Sequence, residues 1–338
     1  MHLWESCTSS SAWTWFYDSM KLLTSAELCN ILPRNATIFM IGDSLTAQLV
    51  WSWSSRLLAD RIDSDFEPKF QVGIDRRQVD VPTCTHGGSV RQPGQLRVSN
   101  LILQETLYEL KASDLRCGGC VKNVTLDPSR FGLQAYTMKE LENLLQGSQV
   151  VVLNQHAHIF KFISALEKCY FLSTGSTSGA KRLAKRDAMR FWATSVGSLA
   201  SFFGNLVSKR NGDFAAFYRT SPPAADMWLL RDRNWRSNNF NSSHYEPQCP
   251  ADILATEPPK WEYGHELYAT MNDVSVAAFK AAGLGLIDLE WMLGVRTDAH
   301  PGPSKYFPGG DALHFCLPGV PDYALDEILR TIRKRISK

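Results

Sequence analysis

The apolar positions of this chain fall into short blocks that alternate between two periods. Thr37-Ile38-Phe39-Met40-Ile41 is a continuous β-rich run that ends at Gly42. A run of this kind, closed by a turn residue, reads as a strand buried on both faces. From about Leu45 to Ile62 the period changes, with Leu45, Leu49, Trp53 and Leu57 at helical spacing. Strand, tight turn and helix together open a βαβ unit. A helix over 138–146 carries Met138, Leu141, Leu144 and Leu145 and leads to a second apolar strand over 149–154. A long helix over about 181–209 puts Met189, Trp192, Val196, Leu199, Phe203 and Leu206 on one face, a stripe suited to a core rather than a cofactor box. A strand over 214–219, a helix over 265–282, a strand over 284–289 and a helix over about 322–336 complete the series. Residues 66–124 alternate weakly and read as strands with long loops, and 222–259 is rich in Pro, Asn and Ser.

Strands alternating with helices imply a parallel sheet covered on both faces. The expected fold is therefore α/β, a three-layer α/β/α sandwich with loop-rich insertions. The 338 residues suit one large domain with decorations, with two domains as the alternative. Residues 1–36, with Trp4, Trp13, Trp15, Phe16 and Tyr17, read as an aromatic lead-in packed on the core. Residues 37–338 read as the main α/β domain, with a loop-rich insert over about 220–262. In such sheets chemistry gathers at the carboxyl ends of the strands. That directs attention to Asp43 and Ser44, Asn154, Arg219 and Thr220, and the residues after Leu289.

Composition narrows the function classes. Net charge is +2, from 36 basic and 34 acidic residues, without the clustered basic excess of a nucleic-acid binder. The basic run over 330–336 fits the carboxyl end of a solvated helix. No segment reaches the ~20 apolar residues of a membrane span, and the first residues lack the pattern of a signal peptide. Eight cysteines and three N-x-S/T sequons, at Asn35, Asn123 and Asn241, point to a secretory lumen. The expectation is a chain that lacks an N-terminal signal or membrane anchor of the full protein. Cys117-Gly118-Gly119-Cys120 has no second close pair, so structural disulfides fit better than zinc. His86, His244 and His265 have no partner at metal spacing. No metal and no bound cofactor are expected.

Two stretches carry candidate chemistry. Ser44 sits where a strand turns into a helix, whose N-terminus offers unpaired N–H groups to a developing oxyanion. The plain alternative is that Ser44 is a helix N-cap. A serine nucleophile needs a base from elsewhere. Asp311-Ala312-Leu313-His314 offers one, with a carboxylate placed to hold the imidazole tautomer. Asn154, just past the second strand, could donate to an oxyanion, or be an ordinary turn asparagine.

These residues also carry a resemblance. Ile41-Gly42-Asp43-Ser44-Leu45 resembles the first block of the SGNH/GDSL hydrolase superfamily. Arg296-Thr297-Asp298-Ala299-His300-Pro301 and the stretch from Asp311 to Asp322 resemble the end of the PC-esterase group. That group includes the plant trichome-birefringence-like proteins, several of them polysaccharide O-acetyltransferases. Tyr218-Arg219-Thr220-Ser221-Pro222 is similar to the family's Arg-Thr-x-Ser-Pro segment, and Asn154-Gln155-His156-Ala157-His158 to its Asn-x-Gly-x-His segment. The chain departs at Thr46-Ala47-Gln48, where plant members usually carry an arginine, and at His156, Ala312 and Phe315.

The resemblance implies Ser44 as nucleophile, His314 as base and Asp311 as its orienter. It implies the Ser44 N–H and Asn154 as oxyanion donors, with an oxyanion glycine near Gly87 or Gly88, taken as Gly88. Asp43, His158, Arg219, Arg296 and His300 are the expected substrate-binding residues. The implied activity is O-acetylation of polysaccharide hydroxyls through an acetyl-serine. Its co-substrate is acetyl-CoA or another acetylated donor, its partner a glycan acceptor, and its compartment the secretory lumen, with the Golgi expected and the extracellular space as the alternative. Trp235, Tyr245 or Trp261 could stack on sugar rings. The alternatives are a carbohydrate esterase with the same triad and a non-catalytic glycan-binding protein on the same fold.

Overall fold

The computed structural model describes residues 21–31, 37–58, 94–98, 100–106, 133–155, 159–222, 267–294, 314–315 and 319–336. Its strands are β1 (Ile38–Gly42), β2 (Gly94–Arg97), β3 (Leu101–Leu103), β4 (Gln134–Tyr136), β5 (Val150–Leu153), β6 (Ala215–Arg219) and β7 (Gly285–Ile287). Its helices are α1 (Ser25–Asn30), α2 (Ser44–Leu58), α3 (Met138–Leu144), α4 (Ile159–Thr174), α5 (Thr177–Lys209), α6 (Tyr268–Ala281), α7 (Glu290–Gly294) and α8 (Val320–Ile336). The lead-in before residue 21, the sequons, the Cys117–Cys120 pair, the cysteine pairing, and the part of the insert beyond 222, with Trp235, Tyr245 and Trp261, lie outside the described residues.

Five strands form one sheet in the order β2-β1-β5-β6-β7, with every neighbouring pair parallel. β3 and β4 form a separate parallel pair. The inner strands β1, β5 and β6 are largely apolar on both faces because each face has its own core. Ile38, Met40, Val150, Val152, Phe217 and Ile287 pack with residues of α1, α2, α7 and α8. Phe39, Ile41, Val151, Leu153, Ala216 and Tyr218 pack with residues of α3, α4, α5 and α6. The period-2 alternation of a strand thus feeds two helical layers. This is the α/β/α sandwich that the alternating pattern predicts.

From β1 the chain steps to β2 on one side and later returns to β5 on the other. The connectivity therefore reverses between β1 and β5. Open α/β sheets leave a crevice at such a switch point, at the carboxyl ends of the strands.

The sequence reading assigns no element between residues 155 and 180. The structure has α4 there, with Ile159, Phe162, Ile163, Leu166 and Tyr170 buried at helical spacing. α5 also starts earlier than 181. Gly175 adopts a left-handed φ of 64°, and its N–H closes α4 on Phe171 O at 2.9 Å. Ser176 then caps α5 by accepting from Gly179 N at 3.2 Å. The Gly-Ser-Thr-Ser-Gly run looks like a loop but is a helix end joined to a helix start. β2 is likewise absent from the sequence reading as a distinct strand.

Both edges of the sheet place glycine beside an aromatic ring. Gly94 pairs with Phe39 and Gly285 with Phe217. A Cβ at Gly94 would lie 2.5 Å from the Phe39 ring, and one at Gly285 2.3 Å from the Phe217 ring. The rings occupy the space a side chain would need.

α2 and α8 are tied by polar groups as well as by their shared core. Ser52 hydrogen-bonds the Asp322 carboxylate. Arg56 Nη1 pairs with Asp326 Oδ1 at 2.5 Å, with side chains 14% and 6% exposed. Arg56 also donates to the carbonyls of Asp322 and Leu23, and Leu23 N donates to Asp326 Oδ2. One half-buried guanidinium thus links α2, α8 and the segment leading into α1.

Three substitutions test this packing by urea unfolding. Gly285→Ala should lower stability by about 1–3 kcal/mol, because the Phe217 ring must move. Gly197→Ala, in the interior of α5 with nothing within 4 Å of its added Cβ, should raise stability by about 0.5–1 kcal/mol. Arg56→Met removes the cation paired with the buried Asp326 carboxylate, which keeps the Leu23 N–H, and should cost about 3 kcal/mol. Equal effects at Gly285 and Gly197 would contradict the ring contact.

Candidate active site

The turn from β1 into α2 is built by close approach. Asn154 N donates to Ile41 O at 2.8 Å, and Val98 N donates to Gly42 O at 2.8 Å, so the end of β1 is held on both sides. A Cβ on Gly42 would lie 2.2 Å from Thr46 Oγ1 and 2.8 Å from Asn154 O. Only glycine fits there without moving the turn.

Asp43 then caps the helix. Its carbonyl accepts from Ala47 N at 3.1 Å, and its Oδ1 accepts from Leu45 N at 2.9 Å. The capping role open to Ser44 from sequence thus falls to Asp43. Ser44 occupies the first helical position, where its backbone N–H lies outside the intrahelical ladder. Its hydroxyl oxygen lies 2.6 Å from His314 Nε2, across 270 positions of sequence. That is hydrogen-bond distance.

His314 reaches Ser44 through its neighbour. Phe315 is 3% exposed and packs in the core with α2, α7 and α8. Gln48 Nε2 donates to Phe315 O at 2.7 Å, and Phe315 N donates to Gln48 Oε1 at 3.1 Å. Gln48 lies one helical turn after Ser44, on the same face of α2.

Beneath the turn lies a buried polar floor. Asp43, Asn154 and Arg219 are each 1% exposed, against 9% for Ser44. Arg219 Nη2 donates to Thr46 Oγ1 at 3.3 Å and Nη1 to Thr220 O at 3.4 Å. Among the described residues, Arg219 Nε and Asp43 Oδ2 have no hydrogen-bond partner. Burial pushes the Arg219 guanidinium down to about 10, while the negative charge of Asp43 works in the other direction. It is still a cation at neutral pH. Burial also pushes the neighbouring Tyr218 hydroxyl well up.

The ends of β5, β6 and β7 are joined by side chains. Asn154 Nδ2 donates to Arg219 O at 3.0 Å and to Ser221 Oγ at 2.8 Å. Ser221 Oγ donates to Gln155 O at 3.0 Å. Asn272, on α6, accepts from Ser221 N at 3.0 Å and donates to Ser221 O at 2.8 Å. Thr220 Oγ1 donates to Asp288 Oδ1 and accepts from Leu289 N and Glu290 N, holding the start of α7. Burial, then the charges of Asp288 and Asp273, raise the Glu290 carboxyl above its usual range.

The expected site residues therefore fall into three groups. Ser44 and His314 are brought together. Asp43 and Arg219, expected as substrate contacts, are each 1% exposed and hydrogen-bond to the chain itself near Ser44. Asn154 lies beside them with both amide hydrogens engaged, so an oxyanion role requires one of those bonds to be exchanged. Asp311, Gly88, His158, Arg296 and His300 lie outside the described residues. Gln48 and Asn272 carry no role in the sequence reading. Their signal was present: each is a polar residue on the apolar face of an amphipathic helix, Gln48 between Leu45 and Leu49, Asn272 beside Met271.

No family model matches the chain. It is similar to Protein trichome birefringence-like 24 of Arabidopsis thaliana, with 28% identity over 155 residues, covering 40% of this chain and 33% of that protein. The chain thus spans about a third of the length of the curated relative it matches. This partial similarity points to the trichome-birefringence-like group, as do the sequence blocks around Ser44 and His314.

Proposed function

We propose that this chain is a serine-dependent acyl-transfer enzyme that moves an acetyl group onto a glycan hydroxyl. The observation that carries the reading is the 2.6 Å approach of Ser44 Oγ to His314 Nε2, at the N-terminus of α2 and beside the β1–β5 switch point. A serine hydroxyl is a weak nucleophile until a base takes its proton, and a neutral imidazole nitrogen at this distance can do so.

In the proposed first step, Ser44 Oγ attacks the acetyl carbonyl carbon of the donor and its proton passes to His314 Nε2. The oxyanion that forms accepts from the Ser44 backbone N–H. The Arg219 cation beneath the turn adds positive potential without touching the substrate. Collapse breaks the bond to the donor's leaving heteroatom, which takes the proton from His314 and departs, leaving acetyl-Ser44. In the second step a sugar hydroxyl gives its proton to His314 Nε2 while its oxygen attacks the acetyl carbon. The Ser44 oxygen leaves and recovers the proton. Asp311 is the proposed orienter of the imidazole. His158, Arg296 and His300 are the proposed substrate contacts, and acetyl-CoA or another acetylated compound is the donor. The eight cysteines and three sequons support a compartment in the secretory lumen, the Golgi being proposed.

Mass spectrometry tests the reading. Protein incubated with acetyl donor should carry one acetyl group on the peptide containing Ser44, and glycan added next should collect it. Ser44→Ala should abolish both events, and His314→Ala should slow them by about 10²–10⁴-fold, with unchanged circular dichroism. Release of acetate from an acetylated glycan, with no transfer between glycans, would assign the site to an esterase instead. Glycan binding without any adduct on Ser44 would overturn the enzymatic reading.

A further inference from the structure

We infer that Gln48 is the positioning residue that sets the reach of His314 to Ser44; its catalytic consequence rests on the function proposed above. His314 and Phe315 are adjacent in sequence, and the backbone of Phe315 is held at both of its polar groups by a single side chain. Gln48 donates to its carbonyl at 2.7 Å and accepts from its N–H at 3.1 Å. The side-chain amide pairs with a peptide unit as another peptide would in a sheet. Gln48 is 3% exposed and Phe315 is 3% exposed, so water cannot replace either bond without opening the core.

The placement makes the clamp specific to the contact it serves. Ser44 and Gln48 stand one turn apart on α2, so one rigid helix carries both the hydroxyl and the amide that holds the imidazole's backbone. The distance from Ser44 Oγ to His314 Nε2 is then fixed by two short covalent paths and one helical turn. It does not depend on the long excursion of the chain between residues 58 and 314. Phe315 adds an apolar anchor in the same core as Leu45 and Leu49. The Asn272–Ser221 pair is a second amide clamp of the same form, but it holds the floor and not the imidazole.

Removing the amide should therefore misplace the imidazole more than it disturbs the fold. Gln48→Met keeps length, helix propensity and apolar burial but loses both bonds. Gln48→Asn keeps the amide but is one methylene too short, and serves if the methionine variant does not fold. Two readouts decide. In ¹⁵N spectra of the His314 ring, assigned with His314→Gln, the resonances should move from their wild-type positions toward those of Ser44→Ala. In acetyl transfer, kcat should fall by about 10- to 100-fold, as for a reacting group displaced by about 1 Å, while KM stays within about twofold. Ring resonances at their wild-type positions in the variants would overturn the inference, whatever happens to the melting temperature. Should the wild-type protein transfer no acetyl group, the proposed function fails, while the ring resonances still decide for or against the clamp.

Discussion

The hydrogen bond between Ser44 and His314 joins two ends of the chain, and most of what surrounds it serves to place those ends. Ser44 is fixed because β1 is an inner strand, held between β2 and β5, and turns into α2 at a glycine that no other residue could replace without moving Thr46 or the Asn154 carbonyl. His314 is held through the next residue, because Phe315 packs in the core that α2 shares with α8 and its backbone pairs with the Gln48 amide. Remove either support and the 270-residue separation gives the two side chains no reason to meet.

Beneath this contact the protein keeps a polar layer where a simpler sandwich would be apolar. Arg219, Asp43, Asn154, Ser221 and Asn272 are all 1% exposed. Burying them carries a desolvation penalty that their mutual bonds offset only in part, since Arg219 Nε and Asp43 Oδ2 have no partner among the described residues. A layer of this kind has two physical consequences. It locks the strand ends through directional bonds, and it places a positive charge under the N-terminus of α2.

How much of this was legible beforehand depended on what each residue's neighbours were. β1, β5 and β6 are apolar runs because both of their faces are buried, and β7 is a short, half-buried apolar run at the sheet edge, so their pattern announces them. β2 has one glycine and two polar residues in four positions, and its pairing with β1 is set by the sheet rather than by its own composition. α4 and the start of α5 were hidden because Gly175 and Ser176 look like a loop while acting as helix terminators. Ser44 and His314 were readable as a pair only through the blocks around them. The burial of Asp43 and Arg219 was not legible because charged residues at strand ends are usually exposed; here both are 1% exposed. The clamp by Gln48 could not be inferred without knowing that residue 315 lies beside α2.

The central claim is that Ser44 and His314 form one chemical unit, and a crystal structure of the protein reads it most directly. The account predicts Ser44 Oγ and His314 Nε2 within roughly 3 Å of each other, the range of a hydrogen bond, with the imidazole plane directed at the hydroxyl. An imidazole turned away from α2, with its nearest nitrogen beyond roughly 5 Å and outside any hydrogen bond, would contradict it.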